Sequence, residues 1–170
     1  MGADMVIFSG GKTLMGPQTS GLVVGKEEYI QRCRTLGFPA HGICRSSKVS
    51  REAMVALYVA VKDFLEEDPT TRFARLYDLC GKLEEGVRQY CLKTDIVSQG
   101  PVGQEYPRLF LYLNKNVPVS MVVRDMKEHH VYIGHDMQEN ALYISPLNLA
   151  QDEVVFVIDA LRTVLEGYVS

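Results

Sequence analysis

Two strand-like runs flanking a glycine-rich loop near the amino terminus constrain this 170-residue chain more than any other feature. Asp4-Met-Val-Ile-Phe8 reads as a buried strand, and Gly21-Leu-Val-Val-Gly25 as a second strand bounded by glycines. Between them, Ser9-Gly-Gly-Lys-Thr-Leu-Met-Gly-Pro17 has the composition of a tight, functional loop. The first strand comes with almost nothing before it, so it must pair with something.

Lys12 lies just past the apolar run, with glycines at 10, 11 and 16, so its amine sits at a strand end where backbone N–H groups can approach an anion. That suits a phosphate-bearing cofactor. Gly11-Lys12-Thr13 matches the tail of a nucleotide-binding P-loop, but the glycine that motif needs further upstream is Val6, and the motif fails. A lysine that forms a Schiff base must lose its proton for part of its cycle, which desolvation beside an apolar strand favours. The competing reading is a solvated lysine on a surface turn.

Downstream, the pattern predicts a helix over residues 26–36, a loop over 38–47, and a helix over 51–67 capped by Ser50. Its apolar run from Ala53 to Val61 is too wide for one buried stripe and predicts a mostly buried helix at a junction between layers or domains. A further helix follows from Pro69 up to Lys93. Strands are expected at 95–99, 108–113, 131–133 and 141–145, with a helix over 118–129. A last helix over 150–168 carries the stripe Val154, Val157, Ile158, Leu161, Val164 and Leu165, and Asn148 and Gln151 are spaced as a capping box. Alternating helices and strands indicate an α/β layer arrangement.

Bulk properties narrow the function. The formal charge is −3 and basic residues are scattered, so nucleic acid is a poor partner for this segment. No apolar run approaches the roughly 18 to 20 residues of a membrane span, and no signal-peptide pattern is present. Cys33, Cys44, Cys80 and Cys91 match neither a CxxC metal pair nor a disulfide framework, and read as reduced thiols of a cytoplasmic protein. His129, His130 and His135 lack the further ligands a metal site requires.

The segment Phe8–Gly25 resembles the cofactor-lysine region of the selenocysteine synthase-like family, including its D-glucosaminate-6-phosphate ammonia-lyase branch. Ser9, Lys12, Gly16, Pro17, Gln18, Gly21 and Gly25 stand in register. The resemblance continues through Gly42–Glu52, Tyr106–Phe110 and Ile144–Leu149. It implies a fold-type-I architecture, here the carboxy-terminal part of a pyridoxal 5'-phosphate (PLP)-dependent transferase-like fold. Residues 1–48 would be the end of the large, cofactor-binding domain and 49–170 an α/β small domain. By that resemblance Lys12 would carry PLP and later move the proton at the substrate α-carbon. Ser9, Gly11 and the backbone near Gly16 would help hold the cofactor.

Arg45 follows this segment, and its guanidinium could take a substrate carboxylate or phosphate, although a structural or surface arginine is an equal reading. Arg108 has a weaker claim. The late strand Leu142–Ser145 lacks the arginine that many aminotransferases use, which disfavours simple transamination.

The implied reaction is an ammonia-lyase-like elimination on a small amino acid or amino-sugar acid. Gly11 with Thr19-Ser20 sits closer to the sugar-acid branch, while Met15 departs from both branches. The alternatives are selenium transfer on seryl-tRNA, which the acidic charge balance disfavours, and a non-catalytic dimerisation or partner-binding module. PLP needs an acid for its ring nitrogen, and Asp4 is a poor candidate. The chain therefore reads as a fragment or one half of a split enzyme, expected either to form a homo-oligomer or to meet an amino-terminal half.

Overall fold

The computed structural model describes residues 2–100 and 103–169. The chain forms two compact units, Met1–Asp68 and Pro69–Ser170.

In the first unit, β1 (Met5–Ser9) pairs antiparallel with β2 (Gly21–Gly25), Met5 opposite Gly25 and Ser9 opposite Gly21. Gly25 is needed at the ribbon's open end, because a Cβ there would lie 2.4 Å from the Asp4 carbonyl oxygen. Lys26 closes this end by donating its N–H to Asp4 O at 3.0 Å and pairing its ammonium with the Asp4 carboxylate. Helix α1 (Glu27–Leu36) follows, with Glu27 and Glu28 in its first turn, where negative charge offsets the helix dipole. Helix α2 (Arg51–Glu66) starts as expected at Ser50, whose Oγ accepts from the Ala53 N–H at 3.1 Å.

Burial in this unit corrects the sequence reading. All five residues of β1 are exposed, with Ile7 at 72%. Helix α2 buries Ala53 and Leu57 but leaves Val55, Tyr58 and Val59 exposed, so it is not mostly buried. The physical reason is that a lone two-stranded ribbon has no second layer to cover its faces.

The second unit closes on itself. Helix α3 (Pro69–Val87) begins on a proline, which is favourable at a first helical position. It ends at Val87, earlier than expected, and a 3-10 turn over Arg88–Tyr90 carries the chain onward. Strands β3 (Lys93–Val97), β4 (Arg108–Tyr112), β5 (Gly134–Asp136) and β6 (Ala141–Ile144) form a sheet in the order β3-β4-β6-β5 with every neighbouring pair antiparallel. Helices α4 (Val119–Glu128) and α5 (Glu153–Val169) pack with α3 on the core. Leu109 and Leu111 of β4 stand opposite Ile144 and Leu142 of β6 and are buried with Leu83, Met126 and Leu161. On the other face, Phe110 rests 5.7 Å from the Tyr143 ring.

Two local expectations move. The strand expected at 131–133 lies at Gly134–Asp136 instead. His130 adopts φ 59 and the Val131 N–H returns to Met126 O at 3.1 Å, so this stretch is the exit of α4 rather than a strand. The capping box falls elsewhere too. Asn148 lies in a 3-10 turn, and it is Glu153 whose carboxylate accepts from the Ala150 N–H at 2.8 Å. Asn140, also at positive φ (50), ties the unit together locally. Its amide donates to the carbonyls of Asn114 and Val117 at 3.1 Å, and its Oδ1 accepts the Val119 N–H at 3.0 Å.

Candidate functional site

The β1–β2 connection is a loop held by its own backbone. Gly10 donates to Ser20 O at 2.9 Å, Gly16 to Gly10 O at 2.8 Å, and Met15 to Lys12 O at 2.8 Å. Gln18 Nε2 donates to Gly11 O at 3.1 Å, and Ser20 Oγ to Pro17 O at 2.6 Å. The glycines are dictated by space. A Cβ at Gly10 would stand 2.1 Å from Ser20 Oγ, and one at Gly11 would stand 2.7 Å from Gln18 Cα. From α2, Leu57 Cδ1 supports both Gly10 and Gly16, 3.0 and 3.1 Å from where their Cβ atoms would lie.

Lys12 projects from this closed loop and is exposed; its ammonium makes no ion pair with another described residue. Burial therefore does not supply, within this chain, the desolvation that the sequence suggested. The N–H groups of Gly11, Thr13 and Leu14 make no hydrogen bond to a described residue. Backbone N–H groups left without a partner in a tight loop are donors that an anion can use. The Gly16 N–H is committed to Gly10 O, so Gly16 shapes the loop rather than offering its own donor. Met15 sits at φ 56, a left-handed conformation that costs a non-glycine residue about 1 kcal/mol.

Ser9, Gly11, Lys12 and Gly16 are thus brought together. Arg45 lies on a separate loop, in a 3-10 turn over Arg45–Ser47, with its guanidinium 5.1 Å above the Phe38 ring. Its Nε is buried without a hydrogen-bond partner among the described residues. Burying an unpaired charged donor is costly, so an orphaned Nε marks a place where an acceptor would be stabilising. Gly42 permits this turn, since a Cβ there would lie 1.8 Å from Leu36 O. No hydrogen bond joins Arg45 to the Lys12 loop among the described residues.

In the second unit, Arg108 also has an orphaned Nε, while its Nη2 donates to Tyr106 Oη at 2.9 Å and its guanidinium lies over the Tyr106 ring. His129 and His130 fall at the end of α4 and His135 in β5; among the described residues no group of three or more His, Cys, Asp or Glu is placed to hold a metal.

These residues fit a lysine-linked, phosphate-bearing cofactor in part. The amine is unpaired, the loop offers free N–H donors, and Gly10 and Gly11 leave no room for a side chain. An acid for the ring nitrogen is not offered by Asp4, which is engaged by Lys26. Sequence reasoning did not single out Gln18 or Leu57 as the residues that close and support the loop. The serine three residues after Pro17 was a signal for the local turn, but nothing in the sequence announces the long-range Leu57 contact.

The model of a protein family described as SelA: L-seryl-tRNA selenium transferase matches residues 1–99. D-glucosaminate-6-phosphate ammonia lyase of Salmonella typhimurium (strain 14028s / SGSC 2262) is 26% identical over 97% of this chain and 44% of its own length. An L-seryl-tRNA(Sec) selenium transferase of Alkaliphilus oremlandii (strain OhILAs) is 22% identical over 97% of this chain and 38% of its own. The solved structure of D-glucosaminate-6-phosphate ammonia-lyase superposes with a TM-score of 0.70 at 22% identity, covering 99% of this chain and 45% of that one. The chain therefore has part of an aminotransferase-like fold, matched also by a Bacillus anthracis aminotransferase structure at a TM-score of 0.53 and 19% identity over 96% of this chain and 39% of that one, and it spans less than half the length of these relatives.

Proposed function

The chain belongs to the SelA family, L-seryl-tRNA selenium transferase, and from that premise we propose that it is a segment of a PLP-dependent enzyme acting by elimination on a small amino acid or amino-sugar acid, with Lys12 as the cofactor lysine. The observation that carries this reading is an exposed lysine amine without an ion pair among the described residues, on a loop closed by its own hydrogen bonds.

PLP, when bound, supplies the sink for charge that develops at the substrate α-carbon. Lys12 holds the cofactor and moves the proton at that carbon. The N–H groups of Gly11, Thr13 and Leu14 and the Ser9 hydroxyl hold the phosphate, and Gly16 fixes the loop through its bond to Gly10 O. Arg45 offers its guanidinium to a substrate carboxylate or phosphate. Residues 1–48 act as the end of the cofactor-binding domain and 49–170 as the small domain. The acid for the ring nitrogen comes from outside these residues, through an amino-terminal half or another subunit. The four free cysteines favour a reducing compartment, the cytoplasm.

The ammonia-lyase relative, 26% identical over 97% of this chain against 22% over the same share for the selenium transferase, favours elimination. Selenium transfer on seryl-tRNA is the second reading, favoured by the family match over residues 1–99. The net charge of −3 weighs against it. Steeply salt-dependent tRNA binding would reverse that preference.

The test is incubation with PLP, alone and with a complementary amino-terminal polypeptide, followed by borohydride reduction. A visible Schiff-base band and a reduced adduct on the Lys12 peptide are expected, both lost in Lys12→Ala. Absence of band and adduct in both preparations overturns the cofactor assignment.

A further inference from the structure

The peptide groups on either side of Lys12 are each held by a hydrogen bond from elsewhere in the loop. The carbonyl of Gly11, which belongs to the peptide before Lys12, accepts from Gln18 Nε2 at 3.1 Å. The carbonyl of Lys12 itself, which belongs to the peptide after it, accepts from the Met15 N–H at 2.8 Å. Because each peptide is planar, only the φ and ψ of Lys12 lie between these two planes. Restraining both planes restrains both angles, and with them the direction of the Cα–Cβ bond from which the exposed amine extends.

Gln18 is mounted for this grip. Its backbone sits in a turn over residues 17–20, closed on Pro17 O by the Ser20 N–H at 3.1 Å and by Ser20 Oγ at 2.6 Å. Opposite it, Gly11 leaves room for the carboxamide to lie against the chain. A Cβ there would fall 2.7 Å from Gln18 Cα and 2.8 Å from Gln18 Oε1. The Gln18 bond is exposed, where competition with water leaves one hydrogen bond little net stability to add. What it supplies is orientation.

We propose that Gln18 is a positioning residue, whose carboxamide acts through the Gly11 carbonyl to aim the Lys12 side chain for attack on an aldehyde. In that attack the neutral amine forms the C–N bond and the aldehyde oxygen leaves as water, so the rate depends on where the nitrogen is held. This deepens the cofactor reading and rests on it for what the aim serves, while the restraint itself is a property of the unloaded chain.

The full chain is measured first without cofactor. Backbone amide relaxation by NMR should give Lys12 an order parameter near about 0.85 in the unaltered chain and below about 0.6 in Gln18→Met, which keeps the length and loses the donor. Gln18→Glu, in which a carboxylate faces the Gly11 carbonyl, should do the same. Order in β1, β2 and α2 should stay, which shows that the variants fold. Ser20→Ala removes a loop bond that touches neither plane and should leave Lys12 ordered. With PLP and borohydride, adduct formation at Lys12 should slow about tenfold in both Gln18 variants, while that at Lys26 and Lys48 is unchanged. A Lys12 already mobile in the unaltered chain, equal order with and without the Gln18 amide, an equal loss in Ser20→Ala, or an unchanged adduct rate at Lys12 would each overturn the proposal. An unaltered chain that forms no adduct at Lys12 but shows the differences in order leaves the restraint standing and overturns the cofactor reading alone.

Discussion

Ile7 in the first unit and Leu109 in the second both lie in five-residue apolar strands, yet Ile7 is 72% exposed and Leu109 is fully buried. The difference is supply. Leu109 has α3, α4 and α5 of its own unit to cover it, whereas the first unit offers β1 no layer of comparable size. Apolar sequence states a demand for burial, and whether that demand is met depends on what else the chain brings. Here the unit that supplies the structural core meets its own demand, and the unit that carries the lysine does not.

The sharpest way to break this contrast is to truncate one side chain in each unit. Leu161→Ala should lower stability by about 3 kcal/mol by opening a cavity in the closed core, whereas Ile7→Ala in the free chain should change it by less than about 0.5 kcal/mol. Urea denaturation reads both, and equal losses would erase the distinction. Asn140→Ala comes next. It strands the carbonyls of Asn114 and Val117 and the Val119 N–H, and leaves a non-glycine residue at positive φ, for an expected loss of about 2 kcal/mol in the second unit. Ser50→Ala removes the α2 cap and should cost about 1 kcal/mol. That loss should appear as faster exchange in the first turns of α2, with α5 unaffected, if the units respond separately.

The smallest effect concerns thiols. Cys33 and Cys44 of the first unit are exposed, while burial pushes the Cys80 and Cys91 thiols of the second up to about 11. Maleimide at neutral pH should label the first pair quickly and the second slowly, as followed by mass spectrometry. Because the folded values lie above those of the unfolded chain, these two thiols contribute stability that is complete below the ordinary thiol range and lost as pH rises toward 11. Double substitution of Cys80 and Cys91 by Ala should flatten that alkaline limb, and an unchanged limb would assign it to other groups.

Periodicity made much of the second unit legible. In the α5 stripe Val154, Val157, Leu161, Val164 and Leu165 are buried as the spacing predicts and Ile158 is half-buried, and the Ser50 cap stands where the sequence placed it. The triad Val131-Tyr-Ile133 misled because β-branched and aromatic residues favour strands, but a left-handed turn at His130 spends these residues on leaving α4. The exposure of β1 and of most of α2 was illegible for a different reason: hydropathy reports a preference for burial and not the presence of a neighbour. In the candidate site, the glycines around Lys12 were readable as a tight loop. The orphaned Arg45 Nε and the support from Leu57 are outcomes of tertiary geometry, which no local pattern encodes.

That support by Leu57 couples two parts of the chain mechanically. Its methyl group is the floor under Gly10 and Gly16, so the shape of the lysine loop is anchored in a helix that follows it by many residues. Warming that unwinds α2 removes the floor and leaves the loop to its own hydrogen bonds.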